Sequence, residues 1–439
     1  MRDIALFLFI MGSLPFIFRR PFYGILLWCW IAYMVPHRLT WGFMQNFQVA
    51  ALVGGVFLLA WLFSKEQKKL PFSMPIVFMC LFIFWMIVTF VANEIDGRTT
   101  MMIDKVMKIQ IFTLVILTML NSRRRIELTL WVIGLSIAFY GIKGGIYTIQ
   151  TGGSGRVWGP TGGFFFGNNE LALTLLVNLP ILYYLRTLVP DKYSWLKWFL
   201  VIAMALSVLA AMGTQSRGGL VACICVAIFL WFKSPHKVAL LLAFCISVPL
   251  VYQFMPDSWH ERMATIIEPD RESYDGSVQG RFNAWEMAFN LAKDRPLIGG
   301  GYNAFDSKNF LKYAPNPYDF YDAHSIYFQI LGHHGFVGLG FFLGIFIFTW
   351  FSANNIIRMA GKDPNWQWAS LLARMLQCSL IAFGSGGAFL GLAYFDLPYH
   401  LVITVVAVEQ LLKKQRDAET AKLVPKARLP NHNTGALYK

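Results

Sequence analysis

The residue best placed to do chemistry in this sequence is His324, which stands where a polar stretch gives way to an apolar one. The segment from Tyr318 to Phe342 reads YDFYDAHSIYFQILGHHGFVGLGFF, with glycines at 332, 335, 338 and 340. An imidazole with an ordinary pKa of about 6.5 can accept or return a proton near neutral pH. We therefore expect His324 at the water-facing end of a helix. The glycines that follow it would let neighbouring helices approach this helix closely.

Two arginines have surroundings that indicate binding of an anion. Arg217 lies in GTQSRGGL, a very short turn between two apolar runs. A cation held near membrane depth is costly unless it faces an anion, although an arginine that snorkels to the interface is the alternative. Arg281 is followed four residues later by Trp285, on the same face of a predicted helix. A surface salt bridge is the alternative interpretation of Arg281.

The segment from Thr151 to Glu170, TGGSGRVWGPTGGFFFGNNE, is a third candidate surface. It surrounds Arg156 with glycines and aromatic residues. Trp158 and the phenylalanines at 164–166 could stack on a sugar or a lipid headgroup, and the glycines would allow the backbone to approach it. An interfacial aromatic belt with turn glycines explains the same composition, so both interpretations stay open.

The composition indicates that membrane helices position these residues. Hydrophobic residues make up 56% of the 439 and charged residues only 14%, which leaves too little polar surface for a water-soluble globule. The six cysteines lie in apolar runs without metal-ligand or disulfide spacing. The formal charge of +14 predicts contacts with anionic membrane lipids, and no motif supports binding of nucleic acid.

Thirteen apolar runs follow one another, and three of them are short for a span of roughly 20 residues. We therefore predict an all-α, polytopic bundle of about twelve transmembrane helices, with twelve or thirteen crossings both possible. Lys and Arg clusters on alternate connections mark the cytoplasmic side. The expected organisation is amino-terminal membrane helices at 1–150, central membrane helices at 151–254, a large periplasmic loop at 255–323, carboxyl-terminal membrane helices at 324–412 and a basic cytoplasmic tail at 413–439.

The predicted periplasmic loop contains an amphipathic pattern from Asn283 to Lys293. Its apolar positions, Trp285, Met287, Ala288 and Leu291, fall on one face of a helix. We expect this face to lie on the membrane surface. The tail after Leu423 is low in apolar residues and is predicted to be disordered.

Four motifs, taken in order, resemble the bacterial O-antigen ligase superfamily. They are SRGG from Ser216, S-x-x-G-R-x-x-x-W ending at Trp285, P-L-I-G-G-G from Pro296, and H-S-x-Y-x-Q-I-L from His324. That superfamily also includes O-antigen polymerases, protein O-oligosaccharyltransferases and the O-glycosylation ligases associated with exosortase systems. The resemblance extends from about residue 156 to residue 339 and is most specific from residue 281 onward.

The last motif departs from the superfamily at two positions. Ser325 stands where the family often has Asn, and His333 stands where it often has Glu. The second change puts in doubt any role for an acid on this helix. It also makes His333 and the adjacent His334 alternatives to His324.

The resemblance implies a GT-C-like glycosyltransferase in the bacterial inner membrane, with its active site facing the periplasm. The donor would be a glycan on undecaprenyl diphosphate, and the acceptor a sugar hydroxyl of the lipid A core. His324 would act as general base and Arg217 and Arg281 would bind the diphosphate, with inversion at the anomeric carbon and no cofactor. The implied substrate-binding residues are Arg156, Trp158, Asn168, Arg262, Trp285, Tyr321 and Asp322.

Acidic pairs in the outside loops bear on whether a metal takes part. Glu94 with Asp96 and Asp319 with Asp322 are the candidate pairs. The first pair fits a solvated loop, and the second is better placed to orient Tyr321 and His324 than to hold a divalent ion. We therefore expect chemistry without a metal.

Two other functions are compatible with the same sequence. An O-antigen polymerase or a protein O-oligosaccharyltransferase would use the same donor with another acceptor. A transporter of lipid-linked oligosaccharides would instead line a continuous path between the leaflets with charges. The sequence concentrates its polar loop residues on one side, so transport is the least favoured alternative.

Overall fold

A computed structural model describes residues 1–233, 237–264 and 276–423 of the chain. The described residues form α-helices joined by short connections, without a β-strand among them. The predicted disordered tail after Leu423 lies outside this range. The helices are α1 (Arg2–Arg19), α2 (Phe22–Met34), α3 (Val49–Phe63), α4 (Met74–Val91), α5 (Gly97–Met119), α6 (Arg123–Gln150), α7 (Asn168–Leu188), α8 (Ser194–Gly213), α9 (Arg217–Lys233), α10 (Lys237–Phe254), α11 (Asp257–Ala264), α12 (Gly276–Asp294), α13 (Ser307–Tyr313), α14 (Ile326–Ala360), α15 (Gln367–Gly387) and α16 (Asp396–Leu423).

Five of the described helices are long and apolar enough to cross a membrane. They are α4, α6, α7, α14, and α8 together with the turn before it. Shorter apolar helices occupy Phe22–Met34, Val49–Phe63, Arg217–Phe232 and Phe244–Phe254. Helices dominate because hydrocarbon offers no hydrogen-bond partner to an open backbone, and a helix satisfies its own amides.

Local capping explains where two of the helices begin. The amide of Thr99 donates to the Asp96 side chain at 2.7 Å, and the Asp96 amide donates to the Thr99 hydroxyl at 2.9 Å. This reciprocal capping box starts α5 directly after the polar connection at 92–96. The Ser122 side chain caps α6 by accepting a hydrogen bond from the amide of Arg125, without the reciprocal bond.

Glycine sets the shape of α14 behind His324. Gly335 interrupts the helix with a φ of 66°, and a Cβ there would lie 2.5 Å from the Pro296 carbonyl oxygen. The amide of Phe336 donates to that same carbonyl at 2.8 Å. Gly332 packs against Phe305, whereas Gly340 has open space around it. The predicted close approach therefore holds at Gly332 and Gly335 but not at Gly340.

Contacts at the helix ends divide the bundle into two faces. Asp3, at the start of α1, accepts a hydrogen bond from the amide of Gly42 at 3.0 Å, and Arg38 lies against Gly162. The amino terminus therefore lies at the same face as the glycine-rich segment before α7.

The carboxyl-terminal end of α16 lies at the other face. Asn355 near the end of α14 donates to Glu409 of α16 at 2.7 Å. This contact is about 44 Å of helix away from Ile326, at 1.5 Å per residue.

The amphipathic helix is present, but the prediction that its apolar face lies on the membrane is wrong. In α12, Met287 and Leu291 are fully buried in a small core with Ala304 and Phe310. The helix packs against α13 and α14. Periodicity showed which face is apolar, whereas only the tertiary packing shows that protein covers it.

Candidate active site

A cavity of about 430 Å³ lies at the face that contains the start of α14. Its walls come from the start of α5, the start of α7, the connection before α13 and the segment that leads into α14. The polar side chains that line it are Arg98, Lys105, Glu170, Asn303, Asp322, His324, Gln329 and His333. Positively charged side chains, negatively charged side chains and imidazole rings therefore line the same cavity.

His324 is held in an unusual backbone conformation at the wall of this cavity. Its φ is 40°, in the left-handed region that costs a side-chain-bearing residue free energy and occurs often at functional sites. The ring is partly buried. Neither ring nitrogen has a hydrogen-bond partner within the described parts of the chain, so the imidazole can accept a proton from a bound molecule.

Burial lowers the pKa of His324 below its ordinary value of 6.5, and the Arg281 guanidinium lowers it further. The Asp322 carboxylate acts in the opposite direction and raises this pKa. The same guanidinium interacts electrostatically with Glu170 of α7. Arg281, His324, Asp322 and Glu170 therefore form one electrostatic group, in which burial and Arg281 favour the neutral imidazole.

Helix α12 holds the segment before His324 in place. The indole of Trp285 donates to the Ala323 carbonyl at 2.6 Å and stacks on Phe328, with ring centroids 5.0 Å apart. The Tyr321 ring packs against Gly280, where a Cβ would lie 2.4 Å from the ring. Arg281 is thus carried by the same helix turn that holds the backbone of the histidine.

The side-chain amide of Asn283 adds a third attachment between α12 and the segment before His324. It donates to the carbonyls of Asn316 and Asp319, at 2.9 Å each, and its oxygen accepts from the Asn316 amide. Every backbone group in that contact has a partner, which favours a single conformation.

A second cluster surrounds the turn before Arg217. The Arg262 guanidinium donates to the Gln215 carbonyl at 2.8 Å, and Asn168 donates to the Thr214 carbonyl at 2.9 Å. Gln215 has a positive φ of 56°, and its amide donates to Gly153. These bonds fix the direction in which α9 begins, and hence the position of Arg217.

The two clusters are adjacent. A Cβ at Gly218 would lie 3.2 Å from the Cβ of Phe389, and the Phe389 ring is 6.3 Å from that of Trp285. Asn168 and Glu170 belong to the same first turn of α7. The structure therefore brings the surroundings of Arg217 next to those of Arg281, although no described contact joins Arg217 directly to His324.

The glycine-rich segment contributes less open aromatic surface than the sequence suggested. Arg156 precedes Val157, whose amide donates to Gly213 at 3.1 Å, and Trp158 is exposed beside Phe166. Phe165 is fully buried against Tyr140. Of the predicted stacking faces, Trp158 and Phe166 are exposed, whereas Asn168 is buried in the Thr214 contact.

The two histidines within α14 differ in their surroundings. His334 uses both ring nitrogens, one with Thr89 at 2.6 Å and the other with Tyr394 at 2.8 Å. His333 contacts the same Tyr394 hydroxyl through Nδ1 at 2.8 Å and also lines the cavity. His334 is thus occupied in holding α4, α14 and the α15–α16 connection together, and His333 remains adjacent to the candidate base.

The acidic pairs named from the sequence have separate partners. Glu94 forms an ion pair with Lys308 at 3.2 Å, while Asp96 caps α5 and accepts from Asn303 at 2.7 Å. The Asp319 carbonyl binds Asn283, and Asp322 faces the cavity. Across residues 1–233, 237–264 and 276–423, no group of three or more His, Cys, Asp or Glu is arranged to hold a metal ion.

Arg98, Lys105 and Glu170 line the cavity but are not among the site residues predicted from the sequence. Arg98, Met101, Met102 and Lys105 occupy positions i, i+3, i+4 and i+7 of α5, and all four line the cavity. That spacing places them on one face of a helix. The cations were detectable as an interruption of an apolar helix, but nothing in the sequence connects them to His324.

One known protein family matches the segment that contains the four sequence motifs. Residues 202–343 match the family model described as O-antigen ligase. That segment contains Arg217, Arg262, Arg281 and His324 together with the helix turns that hold them. This segment of the chain is thus similar to the O-antigen ligase family. The match confirms the resemblance to that superfamily and supports a membrane glycosyltransferase activity of the ligase or polymerase type.

A second family model covers the amino-terminal part of the chain. Residues 1–187 match a family of unknown function, DUF5935. A search of curated proteins found no match. Arg98, Lys105 and Glu170 belong to this amino-terminal segment, so the segment similar to the O-antigen ligase family supplies only one side of the cavity.

Proposed function

We propose that the protein is an O-antigen ligase that transfers a glycan from undecaprenyl diphosphate to a sugar hydroxyl of the lipid A core. The observation that carries the proposal is the placement of His324, with no hydrogen-bond partner on its ring within the described part of the chain, at the wall of a cavity and within electrostatic reach of Arg281. The match to the O-antigen ligase family supports the reaction class.

His324 acts as the general base in this proposal. It accepts the proton of the attacking acceptor hydroxyl while the bond between the anomeric carbon and the diphosphate oxygen breaks. A positioned base contributes about 10²- to 10⁴-fold to such a step. In-line attack inverts the anomeric carbon, and the proton leaves the cavity from the imidazolium.

Arginine side chains bind the leaving diphosphate. Negative charge grows on the phosphate oxygens as the bond breaks, and planar guanidinium groups match that geometry. Arg281 and Arg217 take this role, with Arg156 and Arg262 in support. Arg98 and Lys105 line the cavity and add positive charge that attracts the donor. No step of this reaction requires a metal or a cofactor.

Trp158, Tyr321, Asp322 and Trp285 complete the proposed substrate site. Trp158 is an exposed aromatic face for a sugar ring, and Asp322 faces the cavity where it can accept from a sugar hydroxyl. Tyr321, Trp285 and Asn168 act by holding the backbone around the site.

The proposed orientation places the cavity in the periplasm. Arg19, Arg20, Lys65 and the arginines at 123–125 lie at the opposite face, where the positive-inside rule predicts cytoplasm. This orientation fits a bacterial inner-membrane enzyme. It can be tested by labelling single cysteines at residues 42 and 124 with a membrane-impermeant reagent in intact spheroplasts.

Reconstitution with separate acceptors tests the function. The purified full chain is incubated with labelled undecaprenyl-diphosphate glycan and either lipid A core, an unfolded protein rich in Ser, or a second lipid-linked glycan. We expect product with lipid A core, and a loss of at least 10²-fold in His324→Ala and Arg281→Ala. Lys293→Gln, an exposed cation on the same helix as Arg281, is the matched control.

The acceptor arms separate the alternatives. Product only with a second glycan identifies a polymerase, and product only with protein identifies a protein O-oligosaccharyltransferase. Normal attachment in a folded His324→Ala variant contradicts the proposed base. Movement of the labelled lipid between leaflets without any product indicates a transporter.

A further inference from the structure

A second cavity, of about 720 Å³, lies at the face opposite His324. Three connections meet there: α1 to α2, α3 to α4, and α5 to α6. Its walls carry five basic side chains and one acidic one, Glu66. The basic residues are Arg19, Arg20, Lys65, Arg124 and Arg125.

The negative charge of Glu66 in this cavity is balanced by Arg125. Arg125 donates to both carboxylate oxygens of Glu66, at 2.7 and 3.0 Å, which is the bidentate geometry of a strong pair. Arg123 points elsewhere and pairs with Glu127 at 2.6 Å. Arg19, Arg20, Lys65 and Arg124 have no acidic partner in the described part of the chain. The cavity therefore has a surplus of four positive charges.

An apolar groove of about 800 Å³ lies beside the basic cavity, between α1, α2 and α6. Tyr23 lines both spaces, so the groove adjoins the cavity. On α6 the lining passes from Leu128 in the cavity to Trp131, Leu135 and Phe139 in the groove. At 1.5 Å per residue, Leu128 to Phe139 extends about 16 Å, close to the depth of one leaflet in a bilayer core of about 30 Å.

The groove follows α2 from Tyr23, near the start of the helix, to Met34, its last residue. At 1.5 Å per residue this is about 16 Å. The Met34 carbonyl accepts a hydrogen bond from the Tyr140 hydroxyl at 2.6 Å, which holds α2 against α6 at that end. A chain that fills the groove has the length of an acyl chain of one leaflet.

We propose that the basic cavity and the apolar groove together bind one anionic phospholipid from the leaflet opposite the candidate active site. The phosphate lies among Arg20, Lys65 and Arg124, and an acyl chain lies along the α6 stripe. A neutral headgroup would leave the surplus charge unmatched, and a soluble anion would leave the groove unused. This inference is independent of the proposed glycosyl transfer.

Native mass spectrometry of the full chain in detergent tests the lipid site. Phosphatidylglycerol and phosphatidylcholine with identical acyl chains are titrated separately, and the bound lipid is counted. We expect phosphatidylglycerol to bind preferentially. In Arg20→Gln combined with Arg124→Gln its affinity should fall on the order of tenfold, because each basic residue near an anionic lipid contributes to binding. Arg123→Gln with Lys68→Gln removes the same charge outside the cavity and should leave the affinity unchanged.

A second variant distinguishes the lipid from a free phosphate. Leu135→Trp fills the groove without changing charge, and it should weaken phosphatidylglycerol as strongly as the charge variant. Inorganic phosphate at millimolar concentration should not displace the lipid. Equal binding of the two lipids, equal behaviour of the two double variants, full binding to Leu135→Trp or displacement by inorganic phosphate would each overturn the proposal. A cooperative thermal transition in every variant shows that each one is folded.

Discussion

The indole nitrogen of Trp285 donates a 2.6 Å hydrogen bond to the carbonyl of Ala323, the residue before His324. Arg281 lies one helical turn before this tryptophan and lowers the pKa of the same histidine. The spacing R-x-x-x-W thus puts both residues on the face of α12 that contacts the His324 segment. One turn of α12 supplies both a positive charge beside the imidazole and an anchor for its backbone.

Replacing Trp285 with Phe should lower kcat roughly fivefold, because one hydrogen bond to a partly buried carbonyl is worth about 1 kcal/mol. The phenyl ring can still stack on Phe328, so the thermal stability should change little. The measurement is the initial rate of the reconstituted reaction at saturating donor. Trp195→Phe, at an exposed position of α8, is the control. An unchanged kcat in Trp285→Phe would show that the anchor does not position His324.

The loss of activity at low pH should reflect protonation of His324. The free imidazole is the active form, so kcat/KM should fall as the pH drops through a midpoint below 6.5. The Asp322 carboxylate raises the pKa of His324, and Asp322→Asn removes that charge. The midpoint should therefore move to lower pH, and a shift to higher pH would contradict the assignment. Asp319→Asn makes the same charge change three residues away, and it should leave the midpoint in place.

Lys105 should contribute to binding of the donor. Its ammonium group lines the cavity and lies 3.8 Å from the centre of the Phe164 ring. Lys105→Gln should raise the KM for the lipid-linked donor by roughly tenfold, because a hydrogen bond to a charged group is worth about 1.5 to 3 kcal/mol. Lys108→Gln removes an exposed cation of the same helix that is paired with Asp104. Equal KM values for the two variants would rule out a specific role for Lys105.

Gly335→Ala should destabilise the fold. The substitution places a side chain at a φ of 66° and sets its Cβ 2.5 Å from the Pro296 carbonyl oxygen. Backbone strain of this kind costs about 1 to 3 kcal/mol, so the melting temperature in detergent should fall by several degrees. Gly340→Ala on the same helix meets open space and should not lower it. Equal melting temperatures for the two variants would show that the kink does not depend on glycine.

The candidate site was predicted from the sequence where its residues are close along the chain, and the residues that reach it from distant helices were not. His324, Asp322 and Tyr321 share one segment, and Arg281 and Trp285 share one helix turn, so motif spacing sufficed. Arg98, Lys105 and Glu170 reach the cavity only because α5 and α7 pack beside the start of α14. Spacing within a helix shows which residues share a face, but it contains no information about which helix lies opposite.

The amino-acid sequence alone determined that this chain is a helical membrane protein and placed His324 at a boundary between polar and apolar segments. It could do so because the length and apolar character of each segment are local properties, and a backbone in hydrocarbon must form helices. Only the tertiary structure decided that α12 turns its apolar face to α13 and α14, that two family-matched segments share one cavity, and that four cations line a cavity beside an apolar groove at the opposite face. Those features depend on how the helices are ordered and rotated in the bundle, which is set by contacts between residues far apart along the chain.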